Sequence, residues 1–164
     1  MTAIWAQYAR YNRLANETLY GACAGLSDEE RRRDLGAFFK SVHGTLNHLL
    51  LGDRIWMIRL EGGASPSTGL DAILFEEFAA LRAARADMDR RIEAFFAAPP
   101  AGFLDRSLNY VNNAGIPSAD PAHVILPHFF NHQTHHRAQV HTLLSQLGRD
   151  PPVLDLHRVL RPNP

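Results

Sequence analysis

The sequence predicts an all-α protein, a four-helix bundle with a short irregular or hairpin segment before its last helix. Three observations carry that expectation: apolar stripes at helical spacing, glycine and proline pairs that cut the chain into a few long segments, and a composition suited to one packed core. Of the 164 residues, 46% are hydrophobic and 21% charged, which is ordinary globular usage and excludes the signature of disorder. A chain of this length buries roughly two-thirds of its unfolded surface, so residues 1–164 are expected to form a single domain.

The first helix is expected over residues 3–24, where Ile4, Tyr8, Tyr11, Ala15 and Leu19 recur on one face. Ser27 followed by Glu30 resembles a capping box that opens a short turn. A second long helix spans about Ser41 to Glu61 and stops at Gly62-Gly63. The third runs from about Asp71 to Ala97, with Leu74, Phe78, Leu81, Met88, Ile92 and Phe95 on one stripe and Pro99-Pro100 closing it. Between residues 101 and 120, Leu108, Tyr110 and Val111 suggest a short strand, and Asn112-Asn113, Gly115 and Pro117 a turn or hairpin. Asp120 is placed to cap a last helix that starts at Pro121, carries Pro127 in its early turns and ends at Leu147 before Gly148. The proline-rich tail is expected to pack across the helices through Val153, Leu154 and Leu156.

Charge and cysteine usage narrow the function classes. Seventeen basic residues balance seventeen acidic ones, so no strong positive field draws phosphate backbones or anionic lipid, and nucleic-acid and membrane partners are disfavoured. Cys23 is the only cysteine, which excludes an intrachain disulfide and thiolate clusters such as zinc ribbons. The polar residues Gln7, Arg10, Asn12, Arg13 and Asn16 interrupt the N-terminal segment, unlike a signal-peptide core, and no run of eighteen apolar residues occurs. A cytoplasmic location is the expectation.

Nine histidines depart from this plain background, six of them between His123 and His141. On the last helix Ile125, Phe129, His132, His136, Val140, Leu143 and Leu147 fall within an arc of about 80° at about 100° per residue. Two histidines therefore occupy core positions, where an imidazole without a partner costs about 1–3 kcal/mol. Four residues apart on one face, they are spaced to direct a nitrogen each at one metal ion, and a third ligand is then required. His128 lies about 12 Å along the axis from His136, too far to share an ion comfortably. On the second long helix His43, Asn47, Arg54 and Glu61 form the polar pole, whereas His48 turns away from it beside Leu51, Gly52 and Ile55. His48 is the best third ligand.

Asp53 stands on the apolar stripe of Val42, Leu46, Leu49, Trp56 and Leu60, as a hydrogen-bond acceptor behind the ligands, a catalytic base, or the partner of an arginine. Arg85 interrupts the stripe of the third helix and is expected in a structural ion pair rather than an anion site. His123 and His141 are expected in solvent and His135 at the periphery, and His157 carries no signal.

The runs YNRLANETLY, SVHGTLNHLLLGDRIWMIRLEGG and NHQTHHRAQVHTLLSQLG, followed by DPPVLDL, resemble the DinB family of damage-inducible proteins, within the DinB/YfiT-like metalloenzymes. The resemblance covers nearly the whole chain, and its motif N-H-x-x-H-H-R-x-Q is specific. It implies an up-down-down-up four-helix bundle, commonly dimeric, with a three-histidine metal site made by His48, His132 and His136. Ala138 stands where many relatives have glycine.

Three neutral imidazoles with an open position describe a catalytic rather than a closed structural site. The expected cofactor is a divalent transition-metal ion, zinc or nickel first, with iron, manganese and copper also compatible. Metal-dependent hydrolysis and transfer of small thiols are both chemically available, and some relatives in the superfamily use low-molecular-weight thiols. The alternative is a non-catalytic, stress-associated metal-binding protein. No H-E-x-x-H glutamate supplies a base, so the catalytic residues stay open apart from Asp53.

Overall fold

The computed structural model describes residues 2–64 and 68–161. Among them are α1 (Thr2–Ala24), α2 (Asp28–Arg32), α3 (Val42–Leu60), α4 (Phe78–Ala97), β1 (Ser107–Val111), β2 (Pro117–Pro121), α5 (Ala122–Gln146) and α6 (Leu156–Leu160), with one 3-10 turn at Phe103–Asp105. The fold is mostly helical, and its small sheet is an antiparallel hairpin that pairs Leu108 with Asp120 and Tyr110 with Ser118. Helix α1 packs on α4 and α5, and α3 packs on the same two, so each long helix has two long neighbours.

Local chemistry sets most boundaries. Ser27 and Glu30 form the full reciprocal capping box ahead of α2. The Ser41 hydroxyl accepts the Gly44 N–H at 3.1 Å to open α3, and Gly62 takes a left-handed φ of 85° just beyond its end. The apolar stripes of α3 and α5 are buried as their spacing requires, Leu46, Leu49, Leu60, Phe129 and Val140 completely. In α1, Ala15 and Leu19 are fully buried, but Ile4 is half exposed because the stripe outruns the neighbours that cover it.

Two boundaries differ from the sequence reading. Helix α4 begins at Phe78 rather than near Asp71, because the residues before it bond to α3 instead of to one another. The Asn47 amide accepts the Phe75 N–H at 3.0 Å and donates to the Phe75 carbonyl at 3.3 Å, and the His43 ring meets the same carbonyl at 2.9 Å. Residues 68–77 thus form a non-helical strap over the polar pole of α3, and His43 and Asn47 are buried beneath it. At α5, Pro121 occupies the cap position without a side-chain bond, because the Asp120 carboxylate accepts the Tyr110 hydroxyl at 2.7 Å inside the hairpin. The tail behaves as expected at Leu154, whose carbonyl accepts the Tyr11 hydroxyl at 2.8 Å, while Val153 is exposed and residues from Leu156 form α6.

A buried polar network ties the four long helices together. Arg85 of α4 donates to Asp53 of α3 at 2.5 Å and lies 2.8 Å from Asp89. Asp89 accepts the side-chain amides of Asn12 and Asn16 of α1 at 3.3 and 2.9 Å. The oxygens of those two asparagines in turn accept from Arg137 of α5. Each asparagine therefore relays charge between a carboxylate and a guanidinium that do not touch. Burial pulls the Asp53 and Asp89 carboxyls above their ordinary pKa and Arg85 pulls them back down, so the pairing offsets the cost of desolvating two acids.

Arg85→Leu leaves Asp53 and Asp89 buried without their cation, and urea denaturation should show a loss of about 3–5 kcal/mol. A loss under about 1 kcal/mol would mean that the pair is not desolvated as described.

Candidate metal centre

The stripe on α5 that carries apolar residues into the core also carries His132 and His136, one turn apart, toward α3. There they meet His48. The Nε2 atom of His48 lies 3.3 Å from that of His132 and 3.1 Å from that of His136. Nitrogens bound at about 2.0–2.1 Å to one tetrahedral ion stand about 3.4 Å apart, so the three are spaced as ligands of a single small cation are. Among the described residues this is the one cluster of histidine, cysteine, aspartate and glutamate close enough to hold an ion.

Proton placement decides what the cluster is. The outer nitrogen of His48, Nδ1, lies 2.7 Å from the Leu70 carbonyl, which only accepts, so Nδ1 carries the hydrogen. The Nδ1 of His136 lies 2.7 Å from the amide oxygen of Gln139, whose amide nitrogen faces His135 at 3.3 Å. Both neutral rings therefore turn an unprotonated Nε2 inward, lone pair toward lone pair at 3.1 Å. That arrangement repels unless a cation lies between the pairs, and an outer N–H given to a carbonyl is what orients metal-binding histidines in general.

Burial keeps these rings neutral. It pushes His132 down to about 3, with repulsion from the neighbouring imidazoles adding to the effect. His136 is lowered by burial to about 4 against an opposing contribution from Gln139, and burial also lowers His48 against the Leu70 bond. His48 and His136 are buried, whereas His132 is partly exposed and marks the open side.

The walls of the site explain several residues that carry no polar chemistry. A Cβ at Gly52 would sit 2.7 Å from Cε1 of His132, so glycine leaves the room that this ring occupies between α3 and α5, and any side chain there must displace it. Phe39 stacks on His48 with ring centroids 3.7 Å apart and meets His136 edge-on at 5.6 Å. A Cβ at Gly44 would collide with the Phe39 carbonyl, so the first turn of α3 also needs a glycine. On the other flank His128 packs edge-on against Trp56 at 5.2 Å, and its ring lies 6.1 Å from that of His132.

The remaining histidines stand outside the cluster. His123, His128, His135 and His157 are exposed, and His141 is half-buried rather than solvated because the tail near Pro151 folds beside it. Asp53 is fully buried in its ion pair with Arg85, and none of the three clustered rings hydrogen-bonds it. The partner-of-an-arginine reading of Asp53 matches its contacts, and Arg85 is ion-paired as expected. Ala138 is exposed, on the side of α5 that faces the tail near Pro151. Sequence reasoning missed Gln139, Phe39, Gly52 and the Leu70 carbonyl as supports. Gln139, three residues after His136 and therefore on its face, and Gly52, one turn after His48, were the detectable signals.

Two outcomes follow from this geometry. Gly52→Ala should keep the helix content, since alanine gains about 1 kcal/mol of helix propensity over glycine, yet displace His132 and weaken zinc binding at least tenfold in a chelator competition. Unchanged zinc affinity would show that the close approach is unnecessary. The second outcome concerns pH. The three rings ionise at about 6.5 when unfolded and lower when folded. The unfolded chain binds more protons below that value. The stability they contribute is thus complete above pH 6.5 and lost as pH falls toward 4 and 3. Urea midpoints of chelator-treated protein should drop between pH 7 and 5, and replacing all three by glutamine should flatten that drop; an equal drop in the triple variant would contradict the assignment.

No curated protein matches the chain closely enough to be called a relative. The DinB family model matches residues 1–163, essentially the whole chain, and the protein belongs to the DinB family.

Proposed function

We propose that this protein is a metal-dependent enzyme that transfers small thiols, with His48, His132 and His136 holding one divalent ion, zinc or nickel first, on an up-down-down-up bundle of its four long helices. The observation that carries the reading is the convergence of three Nε2 atoms, two of them with their protons fixed on the far side of the ring. Family membership and the neighbour pattern of the long helices support it.

When bound, the ion would supply Lewis acidity with its double charge undiminished, because no ligand is anionic. The rest falls to the chain and the substrate. The ion pair with Arg85 engages Asp53, and among the described residues no carboxylate joins the three rings as a ready base. A small thiol would lose its proton outright on binding such an ion, and a thiolate is the stronger nucleophile, which favours thiol transfer over hydrolysis. The chain's own thiol does not serve, because burial pushes Cys23 up to about 12 within the core. The sulfur must arrive on a small molecule through the side where His132 is partly exposed.

His48→Ala, His132→Ala and His136→Ala should each lose most bound ion by elemental analysis, whereas His141→Ala keeps it. With zinc- or nickel-loaded protein, small thiols offered together with an electrophile should turn over, and activated esters should not, with His132→Ala inactive. Inactivity toward every thiol, combined with a large fall in melting temperature on chelation, would overturn this reading in favour of a metal site that serves stability alone.

A further inference from the structure

The strap of residues 68–77 touches the metal centre by one bond and α3 by three more. His48 donates from Nδ1 to the Leu70 carbonyl at 2.7 Å, which fixes both the tautomer and the plane of the ring. Five residues on, Phe75 is clamped through both of its backbone groups by Asn47, and its carbonyl also meets Nε2 of His43. Asn47 is fully buried, and its amide nitrogen is shared with the His43 carbonyl at 3.0 Å, so its orientation is determined on three sides. The outer surface of the strap packs loosely by comparison, with Leu70 and Ile73 each 42% exposed. Leu74 and Phe75 pack inward against the core and Arg32 of α2 holds Glu76, while the side-chain-to-backbone bonds from α3 fix where the backbone of the strap lies over His48.

Resting on the three-histidine reading, we propose that this strap is part of the metal centre, that Asn47 is a positioning residue for His48, and that ion binding and strap docking are coupled. The docked strap presents the Leu70 carbonyl that keeps the Nε2 lone pair of His48 directed inward. With an ion bound, His48 is pinned at Nε2, and its Nδ1–H holds the strap in turn. Without one, the inward lone pairs of His48 and His136 repel, the His48 ring is free to turn, and the strap loses one of its four bonds to α3. Linkage makes the effect reciprocal: whatever factor the docked strap adds to ion affinity, the ion adds to strap docking. Hydrogen-bond partners behind metal-binding histidines commonly contribute 10–100-fold in affinity, which sets the expected size.

The test uses the full chain and zinc alone. Zinc affinity is measured by competition with a chromophoric chelator for the wild type, for Asn47→Ala, and for Ile92→Ala, a core truncation further along α4 from the strap. Amide exchange of residues 68–77 is followed with and without zinc, the Phe75 N–H being the reporter because Asn47 is its only acceptor. The expected results are a 10–100-fold weaker affinity for Asn47→Ala, an unchanged affinity for Ile92→Ala, and exchange at Phe75 slowed by zinc in the wild type by a similar factor. If the wild type binds zinc tightly but Phe75 exchanges at one rate with and without it, the coupling is overturned and the metal site stands. That exchange measurement needs no variant, so it decides the question even if Asn47→Ala fails to fold. If the wild type binds no zinc, the metal reading itself falls.

Discussion

The closeness of α3 and α5 at Gly52 is the constraint on which the rest depends. A larger residue there would displace the His132 ring, and with it the spacing of 3.1–3.3 Å at which the imidazole nitrogens meet. A mid-helix glycine is ordinarily a cost of about 1 kcal/mol, and here the cost is offset by geometry rather than by packing. The converging lone pairs are a second cost, since they repel in a desolvated place. Folding tolerates both because the surrounding structure over-determines the arrangement.

Two sets of bonds supply that rigidity from opposite sides. Arg137 follows His136 directly and points about 100° away from it around α5. There it meets Asn12 and Asn16, and through them Asp89, Arg85 and finally Asp53, the residue after Gly52. The network thus holds α5 and α3 by residues adjacent to those that form the site, setting the rotation of each helix about its axis. On the other side the strap and Gln139 hold the outer nitrogens of His48 and His136, which sets the rings on those helices. Backbone position and ring orientation are fixed by different residues, so a change in one set leaves the other in place.

Much of this was legible in the sequence where periodicity carries it. The α5 stripe put His132 and His136 in the core because a helix has one buried face, and His48 stood out because it left the polar pole of its own helix. The hairpin showed in its turn residues, and the capping box of α2 in two letters. What escaped depends on contacts between distant segments. The strap looked helical because Leu74 and Phe78 keep helical spacing, and nothing local reveals that Asn47 captures the backbone of Phe75. For the same reason nothing in the polar pole of His43 and Asn47 reveals that it is covered. Asp53 and Arg85 were each visible as charges on apolar stripes, but their pairing, and its relay through Asn12 and Asn16, needed the fold.

The most direct measurement of the central claim is X-ray absorption at the metal edge of protein loaded with one equivalent of zinc or nickel, which counts imidazole ligands through their multiple-scattering signature. Three histidines should be found in the wild type. A coordination shell with one imidazole or none, filled by carboxylate and solvent oxygens, would show that the converging rings are not the metal site.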